Sequence, residues 1–321
     1  MKEDTMDEGC ERFFAYFGVV EIRRSAAKSQ IVVRNYLLQR ISQFQVDGVI
    51  TNVSHTHNYI FGLAPSHHRL YTLRIDSFFV YSLNLDDLNS ANRKFERLIN
   101  VTLETEPMCG AVSCNDGQVA ELAHCYLQHT EERMKSNVSE VEDFLICTTS
   151  RSCFLARNTP SNESSIYRIF SDNKINDFQL LQFGSAELIR QLSAGNDHIL
   201  ILTVSGRVYS MGTGSRGELG HGTVECEQQP KLVESLTPLT IIQVACGGWH
   251  SVALTDDGNV YLWGWNKCGQ LSDCCEVGEV LDIPVPLNID ESVVGIAAQG
   301  NGTWLKLADQ SVFTLGSATV I

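Results

Sequence analysis

Leu192-Ser193-Ala194-Gly195-Asn196-Asp197-His198 returns 52 residues later as Val244-Ala245-Cys246-Gly247-Gly248-Trp249-His250. The likeness runs on at the same displacement. Leu200 to Thr203 matches Val252 to Thr255, Gly206 matches Gly258, and Val208-Tyr209-Ser210-Met211-Gly212 matches Val260-Tyr261-Leu262-Trp263-Gly264. Gly217-Glu218-Leu219-Gly220 then matches Gly269-Gln270-Leu271-Ser272. A fixed period of this length signals a repeat architecture, in which each supersecondary unit covers its apolar faces by stacking on a neighbour.

Within one unit the apolar runs are too short for helices and rich in β-branched and aromatic residues. Gly247-Gly248 and Asp256-Asp257-Gly258 separate them as turns. The runs are apolar at consecutive positions, which suits strands covered on both faces. Three such strands per unit, recurring radially, describe a β-propeller blade, so the expected fold class is all-β. A tryptophan-aspartate propeller is disfavoured because none of Trp249, Trp263, Trp265 or Trp304 precedes an Asp, and a kelch blade lacks the Gly-Gln/Glu-Leu turn.

These residues carry a family resemblance. An apolar triplet, Gly, His, an apolar strand, a strand ending in Trp-Gly, and Gly-Gln/Glu-Leu-Gly resemble the regulator-of-chromosome-condensation repeat. Gly247-Gly248-Trp249-His250-Ser251, Tyr261 to Asn266 and Gly217 to Thr223 are most similar to its small stand-alone members, over roughly residues 190 to 272. The resemblance implies a ring closed by pairing a first strand with the last blade. Phe13-Phe14-Ala15-Tyr16-Phe17-Gly18, read as a lone strand, takes that role.

Weaker units appear beside the good ones. Val53 to Leu63 superposes on Val244 to Leu254, and unit starts fall near Val53, Val101, Ile146, Leu192, Val244 and Ala297. Six units are therefore visible in a ring of six or seven blades. Residues 28 to 46 read as a short helix or a loop carrying an edge strand. The organisation expected is an acidic tail over 1–12 and one propeller over 13–321, degenerate over about 47–190 and well formed over about 191–321.

With 24 basic and 38 acidic residues among 321, the net charge is −14, which repels phosphate backbones and argues against direct nucleic-acid contact. No apolar run reaches a membrane span, and the acidic start lacks a signal peptide, so the chain is expected in nucleus and cytoplasm. Eleven cysteines without zinc spacing read as reduced thiols, and the sequons at Asn52, Asn100, Asn137, Asn162 and Asn301 as chance matches.

Motifs suggesting chemistry have blander readings. Gly212-Thr213-Gly214-Ser215-Arg216-Gly217 spells a dinucleotide fingerprint with Glu234 downstream, but Gly220 and Gly222 follow where a helix must open. Neither cofactor nor metal is expected. His55, His57, His67 and His68 form a cluster with no Cys or carboxylate to complete a site. His198 and His250 hold matched positions, which points to structure. The same holds for Gly195, Gly212, Gly217, Gly220, Gly247, Gly248, Trp263, Gly264 and Gly269.

What remains is surface. Arg216, His221, Trp249, Trp265, Asn266 and Lys267 sit in turns at blade ends, and Trp and Arg are the types that most often carry interface energy. The reading is a non-enzymatic, monomeric interaction platform with a protein partner. The resemblance implies a nuclear adaptor that binds a JmjC-domain oxygenase in chromatin regulation and chromosome segregation. The alternative it implies is a guanine-nucleotide exchange factor for a small nuclear GTPase; ligase-subunit and sensor readings rank below both.

Overall fold

The computed structural model describes residues 10–15, 18–24, 28–35, 40–55, 59–74, 80–89, 96–97, 104–107, 144–170, 178–183 and 187–316. Among them 25 strands form six antiparallel sheets, joined by turns and short 3-10 segments, with no α-helix. Two compact units divide the chain: the first is built mainly of the described residues up to 107, the second mainly of those from 144 onward.

The first unit contains β1 (Cys10–Ala15), β2 (Gly18–Arg24), β3 (Lys28–Asn35), β4 (Arg40–Asp47), β5 (Asn52–His55), β6 (Tyr59–Ala64), β7 (Arg69–Arg74), β8 (Val80–Asn84), β9 (Glu96–Arg97) and β10 (Glu104–Pro107). They make two five-stranded sheets, β1-β2-β3-β4-β10 and β5-β6-β7-β8-β9. The weak unit at Val53 is the second of these. Two expectations are corrected here. The N-terminal strand is not a lone closing strand: it pairs with β2 from Cys10↔Arg23 to Ala15↔Gly18. Within residues 28 to 46, the described residues 28–35 and 40–46 are neither helix nor loop but belong to the paired strands β3 and β4, in register from Lys28↔Asp47 to Asn35↔Arg40. Most of the unit expected from Val101 lies outside the described residues, and β10 within it pairs with β4.

The second unit carries the repeat. Its strands are β11 (Phe144–Thr148), β12 (Ser152–Asn158), β13 (Ser164–Phe170), β14 (Phe178–Leu181), β15 (Ile189–Ala194), β16 (His198–Thr203), β17 (Val208–Gly212), β18 (Glu227–Leu232), β19 (Ile241–Cys246), β20 (His250–Thr255), β21 (Val260–Trp265), β22 (Val280–Pro286), β23 (Val293–Gln299), β24 (Gly302–Leu307) and β25 (Val312–Gly316). Each sheet is a meander in chain order: three have four strands and the last has three.

Why the inner strands are apolar at consecutive positions through their centres is visible in the packing. Along β16, Ile199 and Ile201 face Leu145, Phe154 and Ile166 of the preceding sheet, while Leu200 and Leu202 face Val244, Ala253 and Trp263 of the next. Along β20, Ala253 points back and Val252 and Leu254 point forward onto Ile296, Leu305 and Leu307. Side chains alternate across a strand, so a strand sandwiched between sheets needs apolar residues in both phases.

The polar contacts between sheets repeat with the same period. Gln191 donates its Nε2 to the Val244 carbonyl (2.8 Å) and accepts from the Val244 N–H (3.1 Å). Gln243 clamps Ile296 in the same way, at 2.8 and 3.0 Å. Both glutamines lie where the pairing register slips, after Ile189 and after Ile241.

Candidate partner-binding site

The histidines of the repeat are structural parts of the core. His198 and His250 are buried, and their Nε2 atoms lie 3.0 Å from Ser251 Oγ and 2.8 Å from Thr303 Oγ1 in the next sheet. Each hydroxyl already donates its proton to a carbonyl, that of Glu218 (2.8 Å) or Gln270 (3.1 Å). The imidazole must therefore donate from Nε2, which leaves Nδ1 bare, and neither Nδ1 has a partner. Burial drives both pKa values down to about 3, with His198 adding a smaller push on His250. Gly195 and Gly247 are glycine because the rings lie against them: a Cβ on Gly247 would fall 1.9 Å from His250 Cε1.

The loop after β17 is pinned from below. Gly217 N–H donates to the Gly214 carbonyl (2.9 Å) and Gly220 N–H to Gly217 (3.0 Å), so the glycine run is a chain of tight turns. The buried Glu218 accepts the Arg216 N–H at 2.7 Å through Oε2, and its carbonyl accepts Trp263 Nε1–H at 2.9 Å. Burial raises the Glu218 pKa. Gln270 holds the Cys268 N–H at 2.7 Å in the same manner one unit on. Arg216 thus leaves a fixed turn.

A second turn brings the tryptophans together. Gly264 has φ +105°, and a Cβ there would lie 2.6 Å from the Trp249 carbonyl. This close crossing lets Trp265 N–H donate to that carbonyl at 2.9 Å. The indoles meet edge to face, centroids 6.0 Å apart at 72°. Arg216 lies over the Trp265 ring with Cζ 3.8 Å from the centroid, and Lys267 Nζ is 5.3 Å from it. Trp249, Trp265 and Arg216 are half-buried and Lys267 is exposed.

Four of the six residues singled out from sequence, Arg216, Trp249, Trp265 and Lys267, are therefore one cluster. Asn266 is corrected from a surface contact to a buried scaffold residue. Its Nδ2 reaches the carbonyls of Ser272, Cys275 and Glu276 at 3.3, 2.9 and 3.3 Å, while Oδ1 accepts the Leu271 N–H at 3.1 Å. His221 is half-buried on Ser210 Oγ (2.9 Å), its pKa lowered by burial and then by Lys231. Sequence reasoning missed the exposed Val280 and Ile283 beside the cluster and the clamps Gln191 and Gln243; the clamps had a usable signal, their spacing of 52.

Of the histidines of the Val53 unit, the described side chains of His67 and His68 make separate polar contacts. His68 Nδ1 contacts Asp86 Oδ1 at 2.8 Å and His67 Nδ1 contacts Ser66 Oγ at 3.1 Å, whereas His57 and the His55 side chain lie outside the described residues. Among the described residues no three metal-ligating side chains gather, and no helix is long and apolar enough to cross a membrane.

Comparison with known proteins places this cluster inside its best-matched stretch. Residues 205–254, and separately 189–218 and 241–270, match the regulator of chromosome condensation (RCC1) repeat. The chain carries RCC1 repeats. It is similar to RCC1 domain-containing protein 1 of Mus musculus, 51% identical over 84 residues, which cover 26% of this chain and 22% of the relative. The Xenopus laevis protein RCC2 homolog is 31% identical over 166 residues, covering 50% and 31%. The matches to these curated relatives span less than a third of their length. Among solved structures, human WBSCR16 superposes with a TM-score of 0.58 at 18% identity, covering 86% of this chain and 64% of that one. Yeast RCC1 (Prp20), solved with Kap60 bound to it, superposes with a TM-score of 0.52 at 18% identity, covering 83% and 56%. The fold class is accordingly an RCC1-type β-propeller.

Proposed function

We propose that this chain is a non-enzymatic protein-interaction platform and that Arg216, Trp249, Trp265 and Lys267 form its partner-binding surface. One observation carries the reading. The histidines shared by the matched units, His198 and His250, are buried in sheet-to-sheet contacts, while the cluster sits at the surface where matched units differ. Trp249, Trp265 and Lys267 correspond to Asp197, Thr213 and Ser215 one period earlier. Residues that a repeat shares hold the fold; those it does not share are free to select a partner.

The partner favoured by the likeness to RCC1 domain-containing protein 1 is a JmjC-domain oxygenase, with a nuclear and cytoplasmic adaptor role in chromatin regulation and chromosome segregation. The test is affinity capture with the wild-type chain and with Trp265→Ala plus Arg216→Ala, followed by titration of the purified oxygenase. Loss of the oxygenase in the double variant is the expected result, and an unchanged set of captured proteins removes the surface. A second reading, guanine-nucleotide exchange on a small nuclear GTPase, is favoured by the superposition on yeast RCC1. Stimulated release of labelled GDP from the GTPase would put it first.

A further inference from the structure

Resting on the platform reading, we propose that the cluster recognises an acidic segment of its partner, one in which carboxylates alternate with aliphatic side chains. The charges point that way. Among the described residues no carboxylate lies within 4.0 Å of the Arg216 guanidinium or the Lys267 ammonium, in a chain of net charge −14. The acid nearest in sequence, Glu218, is buried, spends its Oε2 on the Arg216 backbone N–H, and feels the Arg216 charge less than its own burial. Arg216 lies over the Trp265 ring, and a guanidinium held this way keeps donors at its edge for a bidentate carboxylate. Lys267, on the same ring, adds a second cation.

The apolar part of the ligand follows from what continues the cluster. Trp265 pairs across β21–β22 with Val280, which is 40% exposed, and Val277 is 69% exposed. Further along β22 comes Ile283, 47% exposed, where the Gly222 N–H bonds the Asp282 carbonyl (2.8 Å) and brings in the loop of Val224, 55% exposed. Two cations at one end of a row of exposed aliphatic residues fit a peptide that offers both carboxylates and aliphatic side chains. A nucleic acid would meet the cations and stack on the indoles but leave the aliphatic residues uncovered.

The test is fluorescence anisotropy with a labelled synthetic peptide of alternating Glu and Leu, its Gln-for-Glu counterpart, and a single-stranded oligonucleotide. The acidic peptide binds, weakens with salt, and loses about tenfold in affinity on Arg216→Gln or Lys267→Gln. Thermal melting verifies that both variants stay folded. Equal binding of the neutral peptide, unchanged affinity in both variants, no binding of the acidic peptide, or tighter binding of the oligonucleotide overturns the proposal. Should the double variant Trp265→Ala plus Arg216→Ala still lose captured partners while the acidic peptide is ignored, the acidic ligand fails and the platform stands.

Discussion

Acidification should weaken this protein through two histidines that no solvent reaches. His198 and His250 are held neutral, each with its Nε2 proton given to a hydroxyl and a bare Nδ1 facing no donor or acceptor. Charging either ring would bury a cation with no acceptor for the new proton. Their folded pKa values are about 3 against 6.5 when free. Because the folded value is the depressed one, the unfolded chain takes up protons first as pH falls. The stability contribution is therefore complete above about pH 6.5, declines through the window between the two values, and levels off below about 3. At about pH 5.5 each histidine has lost about 1.4 kcal/mol, and the pair about 3 kcal/mol. Glu218, raised by burial, works in the opposite sense: its contribution is lost as pH rises past the ordinary carboxylate range. It is common to wild type and variant and cancels in their difference. Urea unfolding at about pH 7.5 and about pH 5.5, on wild type and on His198→Gln plus His250→Gln, isolates the effect, since Gln keeps a donor but does not titrate. The wild type should lose about 3 kcal/mol more than the variant between the two conditions. Equal losses would refute the buried neutral imidazoles.

Three further outcomes follow from the repeat contacts. Trp263→Ala removes a fully buried indole and its bond to the Glu218 carbonyl, and should cost about 3 to 5 kcal/mol in equilibrium unfolding. Gln243→Leu leaves the N–H and C=O of Ile296 without the side-chain clamp; a loss of about 2 kcal/mol and faster hydrogen exchange at the Ile296 amide are expected. Gly247→Ala puts a methyl into the space of the His250 ring, so the expelled imidazole should titrate by NMR near its ordinary value, about 6.5.

The period of 52 and the doubly apolar strands made the blades of the second unit legible, because both are written in residues that the packing uses directly. Other parts were hidden for physical reasons. The outer strands β18 and β22 contain Pro230, Pro284 and Pro286, which read as strand breakers yet are tolerated where one edge needs no ladder bond. The hairpin β3–β4 lacks the turn glycines of the good units, and Tyr36, Leu37, Leu38 and Ile41 mimic a helical spacing. At the site, residue type suggested Arg216, Trp249, Trp265 and Lys267, but their convergence depends on the Gly264 crossing and on a loop contributed by the preceding sheet. Asn266 was misread because it lies between the surface residues Trp265 and Lys267, whereas a loop with this many inward carbonyls needs an amide at its centre.

The histidine-to-hydroxyl contacts have a direction, and that direction constrains how such a chain can grow. His198 reaches forward to Ser251 and His250 reaches forward to Thr303, but the position before Thr303 is Gly302 and the position after His198 is Ile199. The series therefore begins at one sheet, ends two sheets later, and is stopped at both ends by residues that can neither offer nor receive. Only the middle segment, residues 241–292, holds both halves of the joint. A tandem copy of that segment could be inserted after itself and find a partner on each side. A copy of either flanking segment would bring a histidine with no hydroxyl to meet, or a hydroxyl with no histidine.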